Sequence, residues 1–577
     1  MKKGFNNNHL QNKNLNSTGQ RILVQRLVEI LDNKTIDTYK DRLNNIHGSL
    51  KELVSVCKKV QNGVLKDSHI DPVKLECQIK LGTEVVLRKY NSSIYNILNS
   101  RIKNKKGTLL NFINEIEVIL KEIELNYLKW ILVELKANID NNDEENVNKL
   151  CENLITELIL RGWTKYSLQR LINKMFVESD IEFNKKWMYF LEELHKEQVE
   201  FNFFIKHDSE IDPYFEEKLL EGKCILEKFP SINKSYIVDE SKYIHIVSNS
   251  FEQDLNKASN DLVNELNAIE AEHIYCEYNT KIRKNDVITL LHNGRTIKYN
   301  VEEYNIRKSY EHHKLGDIKY NDLDKIRNNE NIMIDTRSRI NNVLMQYRLG
   351  YNTDSVETWF TSFWFALESL VVTEQYENII EHIIEIVTPI TTLKYPEKIL
   401  INLIEDFERC GIKLDKYEIE YDGCVQTNID IILDILKDKA EFDTLVNSID
   451  NYDLLVLRLN QVRSIFKDSK SLKQYLENHH RNIEYHLRRL YRIRNSFVHN
   501  AIVEYDLYPL TMHLNSYLRD IIQEIVRSLN FGCYNDINLI YSCSKIRYES
   551  LINILKENGN SVYENNLVTS SYCKIKD

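Results

Sequence analysis

The stretch Tyr491–Asn500 reads YRIRNSFVHN and sets Arg494 and Asn495 ahead of His499. These residue types suit the cleavage of RNA. An imidazole titrates near neutral pH and can move a proton to or from the reacting oxygens. A guanidinium can hold the charge that builds on the phosphate. The same Arg-x4-His spacing recurs in RNIEYH from Arg481 and in RKSYEH from Arg307. Two polar residues on an ordinary helix would look the same, so spacing alone does not choose between the copies.

Placement on a helix does choose. Leu472–His499 reads as one helix, advancing about 100° per residue. Ile483, Leu487, Leu490, Tyr491, Phe497 and Val498 then share one side. Arg494 interrupts that apolar stripe, a costly place for a guanidinium without a partner or a wet cleft. Arg481, in the upstream copy, falls on a solvated flank. Arg488, Arg492, Asn495 and His499, at steps of four, three and four, form a second face. Such a basic ridge would grip a phosphate backbone, with Arg488 and Arg492 binding RNA and doing no chemistry. A charged face is more often simply solvated. Arg494 and His499 diverge by about 140° on a straight helix. They meet only if the arginine reaches around, the helix distorts, or a second chain brings its own motif into the cleft. Glu368 lies at the edge of the apolar face in WFTSFWFALESLVV and is a supporting candidate that could pair with Arg494. An interfacial salt bridge is the plainer reading of the same residue.

The elements that must position these residues are mostly helical. The chain has 577 residues, too many for one core. It has only 15 glycines and 6 prolines, few turn-formers for that length. RILVQRLVEIL carries Ile22, Leu23, Leu27, Ile30 and Leu31 on one broad face, and Thr108–Asn138 continues the pattern. Around Gly222–Tyr304 the period changes. KSYIVDESKYIHIVSN alternates β-branched and aromatic residues, and VITLLHNGRTIKYNV sets Asn293-Gly294 between two such runs, a tight β-hairpin. From Thr353 the helical pattern returns. Asp354 and Glu357 resemble a capping box, and Trp359, Phe360, Phe363, Leu367 and Val371 line one face. Tyr508-Pro509 suits the first turn of another helix.

The layout expected is therefore mainly α. It comprises a disordered, Asn-rich N-terminus (1–18), a helical N-terminal domain (19–221) and a small α+β module (222–345). A helical bundle (350–530) and a helical tail (531–577) follow. The net charge of −10 excludes a general nucleic-acid binder and leaves a local basic surface for any RNA. Ten scattered cysteines without a C-x-x-C pair, after a start lacking an apolar signal sequence, point to a reducing cytoplasm. The most apolar window carries Glu368 and is too short to span a bilayer, so no membrane partner is expected. His312-His313 and His479-His480 are adjacent pairs whose side chains diverge, a poor basis for a metal site. No cofactor and no metal are expected.

LYRIRNSFVHN, with WFTSFWFALESLV upstream, resembles the HEPN superfamily, most closely its ApeA-like branch. The resemblance covers roughly residues 350–530. Arg494, Asn495 and His499 match the family signature position for position, and the aromatic helix ending in ALESL is similar to its first helix. The resemblance implies a metal-independent endoribonuclease of prokaryotic antiviral defence or a toxin–antitoxin system. It implies a homodimer through the C-terminal bundle, with two motifs facing one cleft. His499 would activate the ribose 2′-OH or protonate the leaving 5′-oxygen. Arg494 would stabilise the phosphorane-like transition state, and Asn495 would orient a reacting group. The product would end in a 2′,3′-cyclic phosphate. The region before residue 350 has room for a regulatory partner or a phage-derived trigger. A non-catalytic HEPN module that binds RNA or a partner chain is the alternative, and a helical scaffold with a chance motif is a weaker third.

Overall fold

Ser17 opens the first long helix. Its side chain accepts from the Gln20 N–H while the Gln20 side chain reaches back to the Ser17 backbone, so two orphan donors are satisfied at once. In the computed structural model the described residues are 5–32, 43–103, 107–196, 198–206, 243–251, 257–258, 261–262, 287–292, 295–300, 320–352, 355–371, 378–412, 420–421, 424–425, 428–449, 451–500, 507–532, 534–564 and 567. Among them the protein is mainly α, with one four-stranded sheet and one two-residue ladder.

The N-terminal layer runs through α1 (Asn7–Asn12), α2 (Thr18–Leu31), α3 (Ile46–Gln61), α4 (Ile70–Thr83), α5 (Val86–Tyr90) and α6 (Ser92–Lys103). It continues through α7 (Leu109–Asp140), α8 (Glu144–Leu160), α9 (Lys165–Ile172) and α10 (Phe183–Leu194). Ile22, Leu23, Leu27 and Ile30 on α2 are fully buried, each worth roughly 1.5–3 kcal/mol of burial. α2 approaches α7 so closely that a Cβ on Gly19 would lie 2.5 Å from the Ile139 carbonyl oxygen. Residues 5–18, expected to be disordered, are instead built into this layer. Asn6 caps α1, and Leu10 and Leu15 are completely buried. Two leucines anchor a segment whose composition is otherwise polar.

The sheet has the order β2-β1-β3-β4 and is antiparallel throughout. Its strands are β1 (Gln198–Lys206), β2 (Tyr243–Phe251), β3 (Val287–His292) and β4 (Arg295–Asn300). His292 pairs with Arg295, so a two-residue connection joins β3 to β4, as Asn293-Gly294 predicts; the turn itself lies outside the described residues. The sheet begins earlier than expected, since β1 falls inside the segment assigned to the helical domain. Phe201 and Phe203 are buried on one face of β1, the period-2 signature of a strand.

After the sheet come α11 (Tyr320–Asn328), α12 (Ile334–Asn352), α13 (Val356–Val371), α14 (Ile379–Arg409), α15 (Asn428–Lys437) and α16 (Lys439–Ser448). They are followed by α17 (Asp453–Phe466), α18 (Ser469–Asn500), α19 (Leu507–Asn530) and α20 (Ile537–Asn558). Ser355 caps α13 by accepting from the Thr358 N–H at 3.1 Å, while Asp354 lies outside the described residues. Trp359, Phe360, Phe363, Leu367 and Val371 are all buried, as their spacing predicts.

Two apolar cores result, and neither coincides with the expected 350–530 bundle. One joins α1–α10 to Tyr395–Phe407 of α14, to α15–α17, and to Leu472, Leu476, Leu551 and Leu555. The other gathers α11–α13, Ile380–Ile390 of α14, Ile483–Ile493 of α18, α19, and Ile537, Ile540 and Tyr541 of α20. Helices α14, α18 and α20 thus serve both cores. In α14 the change of core falls between Pro389 and Pro396, which each remove a backbone donor from the helix. Buried charges reinforce the join. Arg458 on α17 binds Glu29 of α2 and Asp406 of α14, and Arg21 binds Asp453 at 2.6 Å.

Candidate functional site

The motif lies at the end of α18, which runs unbroken from Ser469 to Asn500. Its buried stripe, Ile483, Leu487, Leu490 and Ile493, fixes the rotation of the helix against α13, α14 and α19. Tyr491 packs on Trp364 with ring centroids 6.0 Å apart, and Phe497 on Phe360 at 5.9 Å. That rotation turns Arg494 toward α13. Its Nη2 donates to Glu368 Oε2 at 3.3 Å and its Nη1 to Asn495 Oδ1 at 3.2 Å. The guanidinium carbon lies 6.0 Å from the centroid of the Phe365 ring. Glu368 is held in turn, since Trp364 Nε1 donates to its Oε1 at 2.6 Å. Arg494, Asn495 and Glu368 are therefore brought together, and the salt bridge read from the sequence is present. The Arg494 side chain keeps 22 % of its surface exposed, and its Nε is buried without a hydrogen-bond partner. His499 belongs to the last turn of α18, but its side chain lies outside the described residues.

The free basic ridge expected at Arg488 and Arg492 is not present. Arg488 donates to Glu381 at 2.7 and 2.9 Å and to Glu484 at 2.8 and 3.0 Å. Arg492 is only 6 % exposed and donates to Glu52 of α3. Its neighbour Arg489 is also buried, bonded to Glu52 at 2.7 Å and to Glu76 of α4 at 2.8 and 2.9 Å. The physical reason is that α3 and α4 cover Arg489 and Arg492, and a buried guanidinium requires a carboxylate, while Arg488 is taken up by Glu381 of α14 and Glu484 of its own helix. Burial alone would push the Glu52 carboxyl up, but Arg489 and Arg492 hold it below the ordinary range. Lys59 of α3 also reaches α18, donating to Ser496 Oγ at 3.1 Å. His69, between α3 and α4, stacks on Tyr491 with centroids 6.2 Å apart. Burial and the nearby Arg492 and Arg488 lower its pKa.

The upstream copy is built differently. His486 is 1 % exposed, with Nδ1 3.0 Å from the Tyr517 hydroxyl, and burial holds its pKa well below the ordinary value. Arg481 is exposed and bonds Asn478 on its own helix. A core histidine and a surface arginine on one helix do not share a site. Arg307, His312 and His313 lie outside the described residues. His479 stacks on Tyr395 and His480 on Tyr548, so this adjacent pair does diverge.

The residues that sequence reasoning missed are Glu52, Glu76 and Lys59. The available signal was a carboxylate among apolar neighbours, as in LKELVSVC and KLECQIKL. Such a pattern announces a buried partner without naming it. Among the described residues no helix is long and apolar enough to cross a membrane, and no group of three or more His, Cys, Asp or Glu could hold a metal ion. No known protein-family model, curated protein or solved structure matches the chain.

Proposed function

We propose that the chain is a metal-independent endoribonuclease of the HEPN type, an effector of prokaryotic antiviral defence or of a toxin–antitoxin system. The observation that carries this reading is how loosely Arg494 is held. Its bonds are 3.2 and 3.3 Å long and its Nε donor is unused, whereas Arg489 on the same helix is fixed at 2.7–2.9 Å. A guanidinium that is held by long bonds and keeps part of its surface exposed is suited to turn toward a phosphate oxygen as its charge grows. In this reading His499 moves the proton of the ribose 2′-OH or of the leaving 5′-oxygen. Asn495 orients Arg494, and Glu368 keeps it facing the cleft. Attack by the 2′-oxygen on phosphorus expels the 5′-oxygen and leaves a 2′,3′-cyclic phosphate.

The active form is a homodimer. An unbroken α18 sets Arg494 and His499 about 140° apart, so one chain's arginine works with the other's histidine. Phe365, beside Arg494 and 45 % exposed, is apolar surface that a second copy would cover. Arg488 and Arg492, being committed to carboxylates, are not assigned to substrate.

The test is incubation with mixed cellular RNA in EDTA, followed by mapping of the ends. Arg494→Ala and His499→Ala are expected to lower cleavage by on the order of 10²-fold or more. Arg481→Ala is expected to leave it unchanged. Cleavage that EDTA abolishes and Mg²⁺ restores would overturn the mechanism. RNA binding without any cleavage would leave a non-catalytic module.

A further inference from the structure

We infer that Glu52 is a positioning residue for the candidate site: from the N-terminal layer it fixes the last turns of α18 by holding Arg489 and Arg492 together. The inference rests on the endoribonuclease reading for its catalytic half.

Glu52 is 2 % exposed and its two oxygens serve different guanidiniums, Oε2 taking Arg489 and Oε1 taking Arg492. These arginines are three residues apart on α18, almost one turn, so one carboxylate spans a full turn of the motif helix. Arg492 and Arg494 differ by two residues on the same rigid helix. A slip of α18 by a single residue would swing Arg494 through about 100° and away from Glu368. Glu76 holds Arg489 from a second side. Lys59, 437 residues away in sequence but adjacent in space, anchors Ser496 three residues before His499.

The clamp has one slack point. Arg492 Nη1 is buried without a partner, beside a small cavity lined by Glu52, Ser55, Lys59 and Ser496. Glu52 is therefore the described carboxylate that secures Arg492. Its loss leaves that guanidinium buried and unpaired, and burial of an unpaired charge forces the helix end to move. The N-terminal layer thereby sets the geometry at Arg494 without touching it.

The experiment compares Glu52→Gln, which keeps shape and removes charge, with Glu52→Asp, which keeps charge. Each full-length protein is assayed well below its melting temperature. Glu52→Gln is expected to lower kcat at least tenfold with little change in KM, as for a misplaced catalytic group. Amide exchange across residues 489–500 is expected to accelerate by roughly tenfold or more, local opening being easier once the clamp is lost. Glu52→Asp should recover most of both. If Glu52→Gln lowers only the melting temperature, while kcat and exchange at 489–500 match the parent, Glu52 merely stabilises the fold and the inference fails. If exchange responds but the parent protein cuts no RNA, the endoribonuclease reading fails and the catalytic half of this inference falls with it.

Discussion

Replacing Arg458 by Ala strikes the buried ionic group that joins the N-terminal layer to α14 and α17. Arg458 is 7 % exposed and binds Glu29, itself 2 % exposed, and Asp406, completely buried. Removing one partner of a buried pair costs about 3–5 kcal/mol, chiefly from the charge left behind. Here each carboxylate keeps a second guanidinium, Glu29 that of Arg26 at 2.7 Å and Asp406 that of Arg409 at 2.9 Å. The loss should therefore sit at the low end, about 3 kcal/mol. Burial pushes the Asp406 carboxyl up, and Arg458 with Arg409 brings it below the ordinary range. In the parent protein this stabilises the fold above the unfolded pKa of about 3.9 and is lost as pH falls through the lower folded value. In the variant the Asp406 pKa moves upward, so its penalty is present at neutral pH and is relieved on acidification. The stability gap between parent and variant should narrow below the variant's pKa, by up to about 1.4 kcal/mol per pH unit. Urea denaturation followed by circular dichroism at pH 7 and pH 4.5 measures it. An equal gap at both pH values would refute the orphaned-charge account and leave lost packing as the cause.

Other perturbations have equally definite outcomes. Lys394 is buried, and burial lowers its ammonium to about 8 despite the nearby Asp520 and Glu524. Because the folded pKa lies below the unfolded value of about 10.4, the native state releases this proton first. Stability should rise with pH between those two values, and Lys394→Met should flatten the rise in urea melts at pH 7.5 and 9.5. Gly19→Ala sets a Cβ 2.5 Å from the Ile139 carbonyl oxygen and should cost about 1–3 kcal/mol through the forced separation of α2 and α7, read as a lower melting temperature. His486→Ala removes a hydrogen bond to the buried Tyr517 hydroxyl and leaves a void in the core, and should cost about 1–3 kcal/mol. Cleavage by folded His486→Ala protein should match the parent.

Local periodicity made the helices readable. The stripe residues read on α2 and α13 are all buried, and on α18 Ile483, Leu487 and Leu490 are buried while Tyr491 and Phe497 are half-buried and the Val498 side chain lies outside the described residues. Arg494 stood out because it broke such a stripe, and Glu368 because it edged another. The strand β1 also had a signal, since Val199, Phe201, Phe203 and Ile205 alternate in QVEFNFFIK, but the helical context on its N-terminal side masked it. What could not be read was pairing across distance. Arg489 meets Glu76 across 413 residues and Arg492 meets Glu52 across 440. A helical wheel shows that Arg492 faces away from one stripe without showing that another layer covers it. For the same reason a face that looked like an RNA ridge proved to be an internal seam.

The sharing of α14, α18 and α20 between the two cores bears on how the protein is made. Leu551, Leu555 and Tyr563 fill the core that begins at Leu10, and Ile537, Ile540 and Tyr541 fill the other. A ribosome delivers residues 537–563 after the rest of both buried cores, so neither is complete while that segment is still unmade. Nascent chains, and chains cut short by a premature stop before α20, must hold the motif helix in an unfinished scaffold. Synthesis itself then separates the translation of this sequence from the moment its C-terminal helices are locked in place.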